Sequence, residues 1–331
     1  METTTSASLG LVNVLGLGPD VVRVIVFTNQ FLCGVISFLG VIANVINTLV
    51  YYKQGLDEPV SISLLALSLS DLVGVVTSLW VAVCWNPLVY YADLPFVPAD
   101  VEYLTGSLPH LVFTRITGWI TAFVAVERCL CVALPFDVKS ILTPSKVKVI
   151  LACVFVVVAG AHVPSFCTSG LAWVYVAGLN RTVVALVTAA NKDQINSVTY
   201  SANLVSPFGS FLVVLLATAV TAYQLTRASE RRLKSISGQR VTLRDRKTVK
   251  MVVTLSVIFI LSYLPTNVLH VFYCSIAGRA ELLSRYTDLI SLTFSFIKPL
   301  EAFNASIGIL LYWRMSSRFK ATVTSLFATS K

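Results

Sequence analysis

Long stretches of this sequence contain no charged side chain, and this feature restricts the fold more than any other. Four runs lack Asp, Glu, Lys and Arg altogether, and three more carry only one or two such residues. Each run exceeds the ~20 apolar residues that cross a lipid bilayer as a helix. The sequence therefore predicts seven membrane spans. In chain order, spans 1 to 7 are residues 24–52, 59–92, 103–126, 149–180, 194–226, 251–278 and 289–313.

The composition agrees with a chain that is mostly surrounded by lipid. Of its 331 residues, 56% are hydrophobic and 12% are charged, and the mean hydropathy is +0.80. Soluble domains carry about a quarter charged residues. The seven runs are too long for the strands of a membrane barrel and lack a period-two alternation, so we expect helices. The sequence predicts an all-α membrane protein, built as a seven-transmembrane helix bundle.

Basic residues are concentrated on one side of the predicted bundle. Eighteen of the 25 lysines and arginines follow spans 1, 3, 5 and 7, whereas five lie on the opposite side. Because short basic loops stay in the cytoplasm, we expect a multi-pass protein of the plasma membrane with its N-terminus outside and its C-terminus inside. This orientation gives an extracellular tail (1–23), a transmembrane domain (24–313) and a cytoplasmic segment (314–331).

The net charge of +9 follows from this asymmetry. It does not indicate a nucleic-acid partner, because no stretch interleaves basic and aromatic residues on a soluble domain. The basic run from Arg227 to Lys250 fits contact with anionic membrane lipids instead.

One glycosylation sequon agrees with the predicted orientation. Asn180-Arg181-Thr182 lies between spans 4 and 5, on the side expected to face out of the cell. It is either a glycosylated asparagine or an unused chance match. The second match, Asn304-Ala305-Ser306, lies within span 7 and is discarded.

Six further motifs occur in order, each on a different predicted span. They include adjacent opposite charges at the end of span 3, in "AVERCLCVALPF", and a proline within span 6, in "FILSYLP". The residues that carry the six motifs are Asn44, Asp71, Glu127 with Arg128 and Pro135, Pro207, Phe259 with Pro265, and Tyr312 with Phe319.

This order of motifs resembles that of the rhodopsin-like (class A) G-protein-coupled receptors, from residue 24 to about residue 328. The stretch "VEYLTGSLPHLVFTRITGWITAFVAVERCLCVALPF" is similar to the chemosensory receptors of gastropod molluscs. The resemblance implies a small extracellular ligand bound between spans 3, 5, 6 and 7, and a heterotrimeric G protein as partner. It also implies a short amphipathic helix, helix 8, after span 7.

The resemblance assigns the coupling step to the cytoplasmic side. Arg128 would make the pivotal contact with the G protein, and Glu127 and Asp245 would hold this arginine in the inactive receptor. Tyr312 would belong to the same coupling machinery. The resemblance also implies an internal polar network of Asn44, Asp71, Thr117 and Asn304. Two alternatives stay open for this network, one with a bound sodium ion and one without.

Candidate ligand contacts lie in the half of the bundle expected to face outward. His110 is eighteen residues before Arg128, which is roughly 27 Å along a helix. Lys298 and Glu301 are three residues apart and share a helix face, so they form either a private ion pair or part of the ligand cavity. Arg115 either reaches this cavity or bonds to neighbouring helices. The expected ligand contacts are His110, Thr114, Asn203, Asn267, His270, Lys298 and Glu301.

Departures from the family pattern are concentrated in span 7 and in the cysteines. The family has Asn-Pro where this chain has Gly308-Ile309, and a cysteine where it has Tyr103. That cysteine ties span 3 to the loop after span 4. Cys84 and Cys167 could form a substitute bridge, or they are free thiols.

Other classes of function remain as alternatives. A neuropeptide-type class A receptor is one, and a membrane transporter or channel is another, although seven spans without an internal repeat fit a transporter poorly. The sequence shows no metal-ligand spacing, nucleophile set or glycine-rich phosphate loop, so we expect no enzyme activity, cofactor or metal.

Overall fold

The structure is a computed structural model that describes residues 18–134, 136–195, 197–234, 243–276 and 280–328. Within these ranges, seven helical segments are long and apolar enough to cross a membrane. This confirms the predicted seven-helix bundle. The helices of spans 1 to 7 run Pro19–Gln54; Pro59–Cys84; Pro98–Glu102, continued by Leu108–Ala133; Pro144–Cys167; Ser197–Lys234; Leu243–Ile276; and Ala280–Ser306, continued by Gly308–Met315.

The N-terminal ends of several spans follow from proline. Pro19, Pro59, Pro98 and Pro144 each occupy the first turn of a helix. A proline is tolerated there because its missing N–H would have no partner within the helix. Short helices also occur in the loops, at Pro87–Tyr90, Val138–Ile141 and Lys192–Ile195.

Span 3 changes helix type near the end opposite Arg128. Residues Tyr103–Ser107 form a π-helix between the two α-helical parts of the span. Gly106 permits close packing there, because a Cβ at this position would lie 2.8 Å from Val81 and 3.0 Å from Trp80. The Trp80 indole donates to Thr105 at 2.8 Å, which fixes span 2 against the same segment.

A two-stranded sheet replaces the last part of predicted span 4. The helix ends at Cys167, and strand β1 (Ser169–Val176) pairs antiparallel with strand β2 (Arg181–Thr188). The prediction of one continuous span over 149–180 is therefore wrong. Asn180, in the turn, has φ 51°, a left-handed conformation that asparagine tolerates better than most residues. We call this the hairpin end of the bundle, and the opposite end, which carries Arg128, the Arg128 end.

The hairpin is attached to the segment that precedes span 3. The Val97 N–H donates to the Val184 carbonyl, and the Val184 N–H donates to the Pro95 carbonyl, both at 2.9 Å. Arg181 forms an ion pair with Asp93. Cys84 and Cys167 are both free, so the substitute disulfide bridge is not formed. Backbone hydrogen bonds and one ion pair attach the hairpin to the segment before span 3 without a disulfide bridge.

Spans 1, 2 and 7 approach one another closely around a glycine. A Cβ on Gly40 would lie 2.2 Å from the Ser306 hydroxyl and 3.1 Å from a Val75 methyl group. The Asn44 side chain donates to the Gly40 carbonyl at 3.0 Å and to the Ala305 carbonyl at 2.8 Å. Asn44 thus connects span 1 to span 7.

Span 7 is interrupted at Ile307, two residues before the position of the family proline. One helix ends at Ser306, the next begins at Gly308, and a third helix, Ser317–Ala328, follows the span. Tyr312 packs edge-on against Tyr51, with ring centroids 5.4 Å apart, and Phe319 lies 5.6 Å from Tyr312. The fully buried Phe319 anchors the third helix, which matches the predicted helix 8.

Candidate functional site

A narrow polar cavity lies between spans 2, 3, 6 and 7, in the half of the bundle nearer the hairpin end. Its empty volume is about 270 Å³. We call it the His110 cavity. Its polar lining comes from Ser78, His110, Thr114, Tyr263 and Glu301. Three of the predicted ligand contacts, His110, Thr114 and Glu301, therefore share one cavity.

Helix spacing and hydrogen bonds explain this grouping. His110 and Thr114 are four residues apart and lie on the same face of span 3. The Nδ1 atom of His110 lies 2.9 Å from the Gly74 carbonyl oxygen, and its Nε2 atom lies 3.5 Å from Oε2 of Glu301. The Thr266 hydroxyl donates to Oε1 of Glu301 at 3.0 Å. These contacts join spans 2, 3, 6 and 7.

Glu301 has a different partner from the one that its spacing to Lys298 suggested. Its ion-pair partner is His110, and no ion pair between Lys298 and Glu301 occurs in the described part of the chain. Lys298 is half-buried and does not line the His110 cavity. A lysine can extend away from its own helix face, whereas His110 reaches Glu301 directly across the bundle. The prediction of a private ion pair between Lys298 and Glu301 is therefore wrong.

The other predicted ligand contacts lie elsewhere or outside the described side chains. The Asn203 amide oxygen lies 3.0 Å from Nε2 of the buried His162, so Asn203 connects spans 4 and 5 rather than lining the cavity. Asn267 is 3% exposed on span 6. The side chain of His270 falls outside the described residues.

Two contacts in the cavity were not predicted. Thr266 donates to Glu301 and directly precedes the predicted Asn267. The prediction therefore chose the adjacent residue, which points in a different direction from the helix axis. Tyr263 lies three residues before Thr266, on the same face, and lines the cavity. The sequence signal that could have identified them is the three-residue spacing of the hydroxyl side chains of Tyr263 and Thr266 around Pro265.

Arg115 faces the interior of the bundle. It is 3% exposed and acts electrostatically on Glu301 and on Tyr263. Arg115 does not line the His110 cavity.

The Asp71 network separates the His110 cavity from a second cavity. Thr117 donates to Asp71 at 2.9 Å, and the Ser70 hydroxyl lies 2.9 Å from Thr117. Asp71 and Thr117 line both cavities. The second one, which we call the Tyr312 cavity, has an empty volume of about 440 Å³ and is also lined by Asn304 and Tyr312. Asp71 and Thr117 therefore lie between the cavity that contains His110 and the cavity that contains Tyr312.

Asn304 of span 7 lines the Tyr312 cavity, while Tyr263 of span 6 lines the His110 cavity.

A buried ion pair lies at the Arg128 end. Nη2 of Arg128 donates to Oε1 of Glu127 at 2.7 Å, and the two residues are 5% and 2% exposed. Val124, one turn before Arg128, lines the Tyr312 cavity. The side chain of Asp245, the second expected partner of Arg128, is not among the described side chains.

Comparisons with known proteins agree with this architecture. The C5a anaphylatoxin chemotactic receptor 1 of Oncorhynchus mykiss is 24% identical over 316 residues, which cover 93% of this chain and 81% of that receptor. Residues 43–300 match the family model described as 7 transmembrane receptor (rhodopsin family). This match covers more than half of the chain and includes His110, Asp71, Thr117 and Arg128, whereas Glu301 lies one residue beyond it. The chain is therefore a multi-pass membrane protein that belongs to the rhodopsin family of seven-transmembrane receptors.

Proposed function

We propose that this protein is a chemosensory receptor that binds a small extracellular ligand in the His110 cavity and activates a heterotrimeric G protein. The observation that carries the proposal is the series of buried polar groups from His110 through Asp71 and Thr117 to Tyr312. A ligand that changes the first cavity changes a hydrogen-bond network shared with the second. A narrow cavity suits a small ligand better than a folded protein domain.

The signal would end at Arg128. In the ligand-free state Glu127 binds this arginine, and Asp245 stays a predicted second partner. Ligand binding favours the bundle conformation to which the ligand binds more tightly, and the G protein binds the Arg128 end of that conformation. By linkage, the G protein then tightens ligand binding by the same factor.

The proposal includes an orientation. The hairpin end faces out of the cell, residues 1–23 form the extracellular tail, and residues 314–331 lie in the cytoplasm of a plasma-membrane protein. The position of Asn180 in the exposed hairpin turn, at the end of the bundle opposite Arg128, supports glycosylation at this residue. The excess of basic residues after spans 1, 3, 5 and 7 supports the same orientation and contact with anionic lipids.

A peptide receptor is the second candidate. The similarity to the C5a anaphylatoxin chemotactic receptor 1 of Oncorhynchus mykiss favours a peptide-type ligand. In that case only part of the ligand would enter the narrow His110 cavity, and the hairpin end would contact the rest.

The test is expression of the full chain with a promiscuous G protein, followed by exposure to amino acids, small peptides and water-borne odorants. At least one agonist should raise nucleotide exchange in the wild type and fail to do so in Arg128→Ala at equal surface expression. Normal exchange in Arg128→Ala would refute the role of this arginine. Activation by peptides alone would favour the peptide receptor.

A further inference from the structure

The His110 ring has an oxygen acceptor in front of each of its two nitrogens. Nδ1 lies 2.9 Å from the Gly74 carbonyl oxygen. A carbonyl oxygen can only accept, so Nδ1 must carry a hydrogen. Nε2 faces Oε2 of Glu301 at 3.5 Å, while the other carboxylate oxygen of Glu301 already accepts from Thr266.

The close approach of Nε2 to Oε2 is favourable only with one more hydrogen between the two atoms. With Nδ1 protonated and no further proton, a lone pair on Nε2 opposes a carboxylate oxygen, and the two repel each other in a buried site. The structure shows Nε2 buried and without a hydrogen-bond partner among the described residues. One proton on Nε2 converts this repulsion into an attraction between an imidazolium and a carboxylate.

Several charged and titratable groups surround the pair. Asp71 of span 2 and Tyr263 of span 6 line the same cavity, and Arg115 of span 3 acts on Glu301. Cys33 of span 1 lies within electrostatic range of both Lys298 and Glu301. Arg115 offsets part of the charge of Glu301, and the Glu301 carboxylate is the group that attracts a positive charge on His110.

We propose that His110 and Glu301 form a proton-binding site that joins spans 2, 3, 6 and 7, and that its occupancy sets how tightly these spans pack. The side chains of His110 and Glu301 are 14% and 10% exposed, so water can deliver the proton. Because the closed pair holds one more proton than the open pair, its stabilisation is present at low pH and is lost as pH rises. Coupling of this proton to ligand binding rests on the proposed function, but the proton site itself does not.

The experiment measures the thermal midpoint of the purified full chain in detergent between about pH 5 and pH 8, without ligand or G protein. The wild type should be more stable at the acid end by about 2–4 °C. His110→Gln and Glu301→Gln should each remove this difference. His162→Gln is the matched control, because His162 is also buried but contacts the Val158 carbonyl and Asn203 instead of a carboxylate.

An unchanged pH dependence in both His110→Gln and Glu301→Gln would overturn the proposal, as would its loss in His162→Gln. The chain has three histidines, so ¹⁵N-histidine NMR of the His162→Gln, His270→Gln double variant observes His110 alone. If His110→Gln fails to fold, this NMR measurement tests the proton-binding site without that variant. Two protonated ring nitrogens at low pH, followed by an Nδ1–H tautomer at high pH, support the site. An Nε2–H tautomer or no titration excludes it.

The failure of this proposal is separable from failure of the proposed function. The pH profile and the NMR signal require neither an agonist nor a G protein. Nucleotide exchange that depends on Arg128 tests the receptor function whatever the state of His110. A protein that exchanges no nucleotide can still show the proton site, and a functional receptor can lack it.

Discussion

At the scale of single residues, the ion pair between Glu127 and Arg128 is only partly satisfied. One hydrogen bond of 2.7 Å joins them, while Oε2 of Glu127 and Nε of Arg128 are buried without a hydrogen-bond partner among the described residues. Unpaired buried polar groups are costly. A rearrangement that supplies partners for these atoms recovers that cost, so the arrangement is suited to a contact that opens.

Removing the charge of Glu127 should therefore release Arg128. We expect Glu127→Gln to raise ligand-independent nucleotide exchange several-fold, because the amide keeps an acceptor oxygen but loses the charge that attracts the guanidinium group. The measurement is GTPγS binding to a co-expressed G protein at matched receptor density. Glu58→Gln is the control, because Glu58 also pairs with an arginine, Arg318, but on the exposed surface. Basal exchange equal to that of the control would contradict the restraint.

Much of the His110 cavity could be predicted from residue spacing along single helices. His110 and Thr114 were found because depth along span 3 is fixed by the rise of a helix. The placement of Asn203 beside His162, and of Thr266 rather than Asn267 against Glu301, depends on how each helix is rotated in the bundle. One residue corresponds to about 100° of rotation, which depth alone does not determine.

At the scale of elements, the hairpin shows why a charge-free run was mistaken for one long helix. Strand β1 does alternate, since Leu171, Trp173 and Tyr175 are exposed on one face. All three are apolar or aromatic, so no alternation of polar and apolar residues marks the strand in the sequence. An apolar run of this length cannot be divided into helix and strand by periodicity alone.

Span 7 shows that its break does not depend on the family proline. The helix stops at Ser306 and resumes at Gly308, although no proline occupies either position. A Cβ at Gly308 would lie 3.2 Å from the Tyr312 ring, so glycine lets this ring pack against the turn. Tyr312 thus packs against Tyr51 and Phe319 in a chain that lacks the usual asparagine and proline.

The contact between spans 1 and 7 can be tested at Gly40. We expect Gly40→Val to lower the thermal midpoint of the purified receptor by about 4 °C or more, because its Cβ would collide with Ser306 and Val75. Gly160→Val in span 4 is the matched control, since nothing lies within 4 Å of a Cβ at that position. Equal midpoints for the two variants would show that spans 1 and 7 do not approach as closely as the structure indicates.

At the scale of the whole molecule, the proposed orientation rests on the distribution of basic residues. The bundle has a hairpin at one end and the Glu127–Arg128 pair at the other. The loops at the two ends contain very different numbers of basic residues. Neither the helix bounds nor the contacts between helices distinguish outside from inside. A glycan on the hairpin would do so, because glycosylation takes place only on the side that becomes extracellular.

We expect the wild type, expressed in a glycosylating cell, to shift on a gel after treatment with peptide N-glycosidase. Asn180 lies exposed in the turn, where the Tyr175 hydroxyl donates to its side-chain oxygen at 2.6 Å. The glycan would attach to the side-chain nitrogen, so this hydrogen bond can persist. Asn180→Gln should abolish the shift. Thr182→Ala should do the same, whereas Thr182→Ser keeps the sequon and serves as the matched control.

A wild type that does not shift, at normal surface expression, would remove the support that Asn180 gives to the proposed orientation. A shift that persists in Asn180→Gln would place the glycan at another residue, and the hairpin end would then need an independent test.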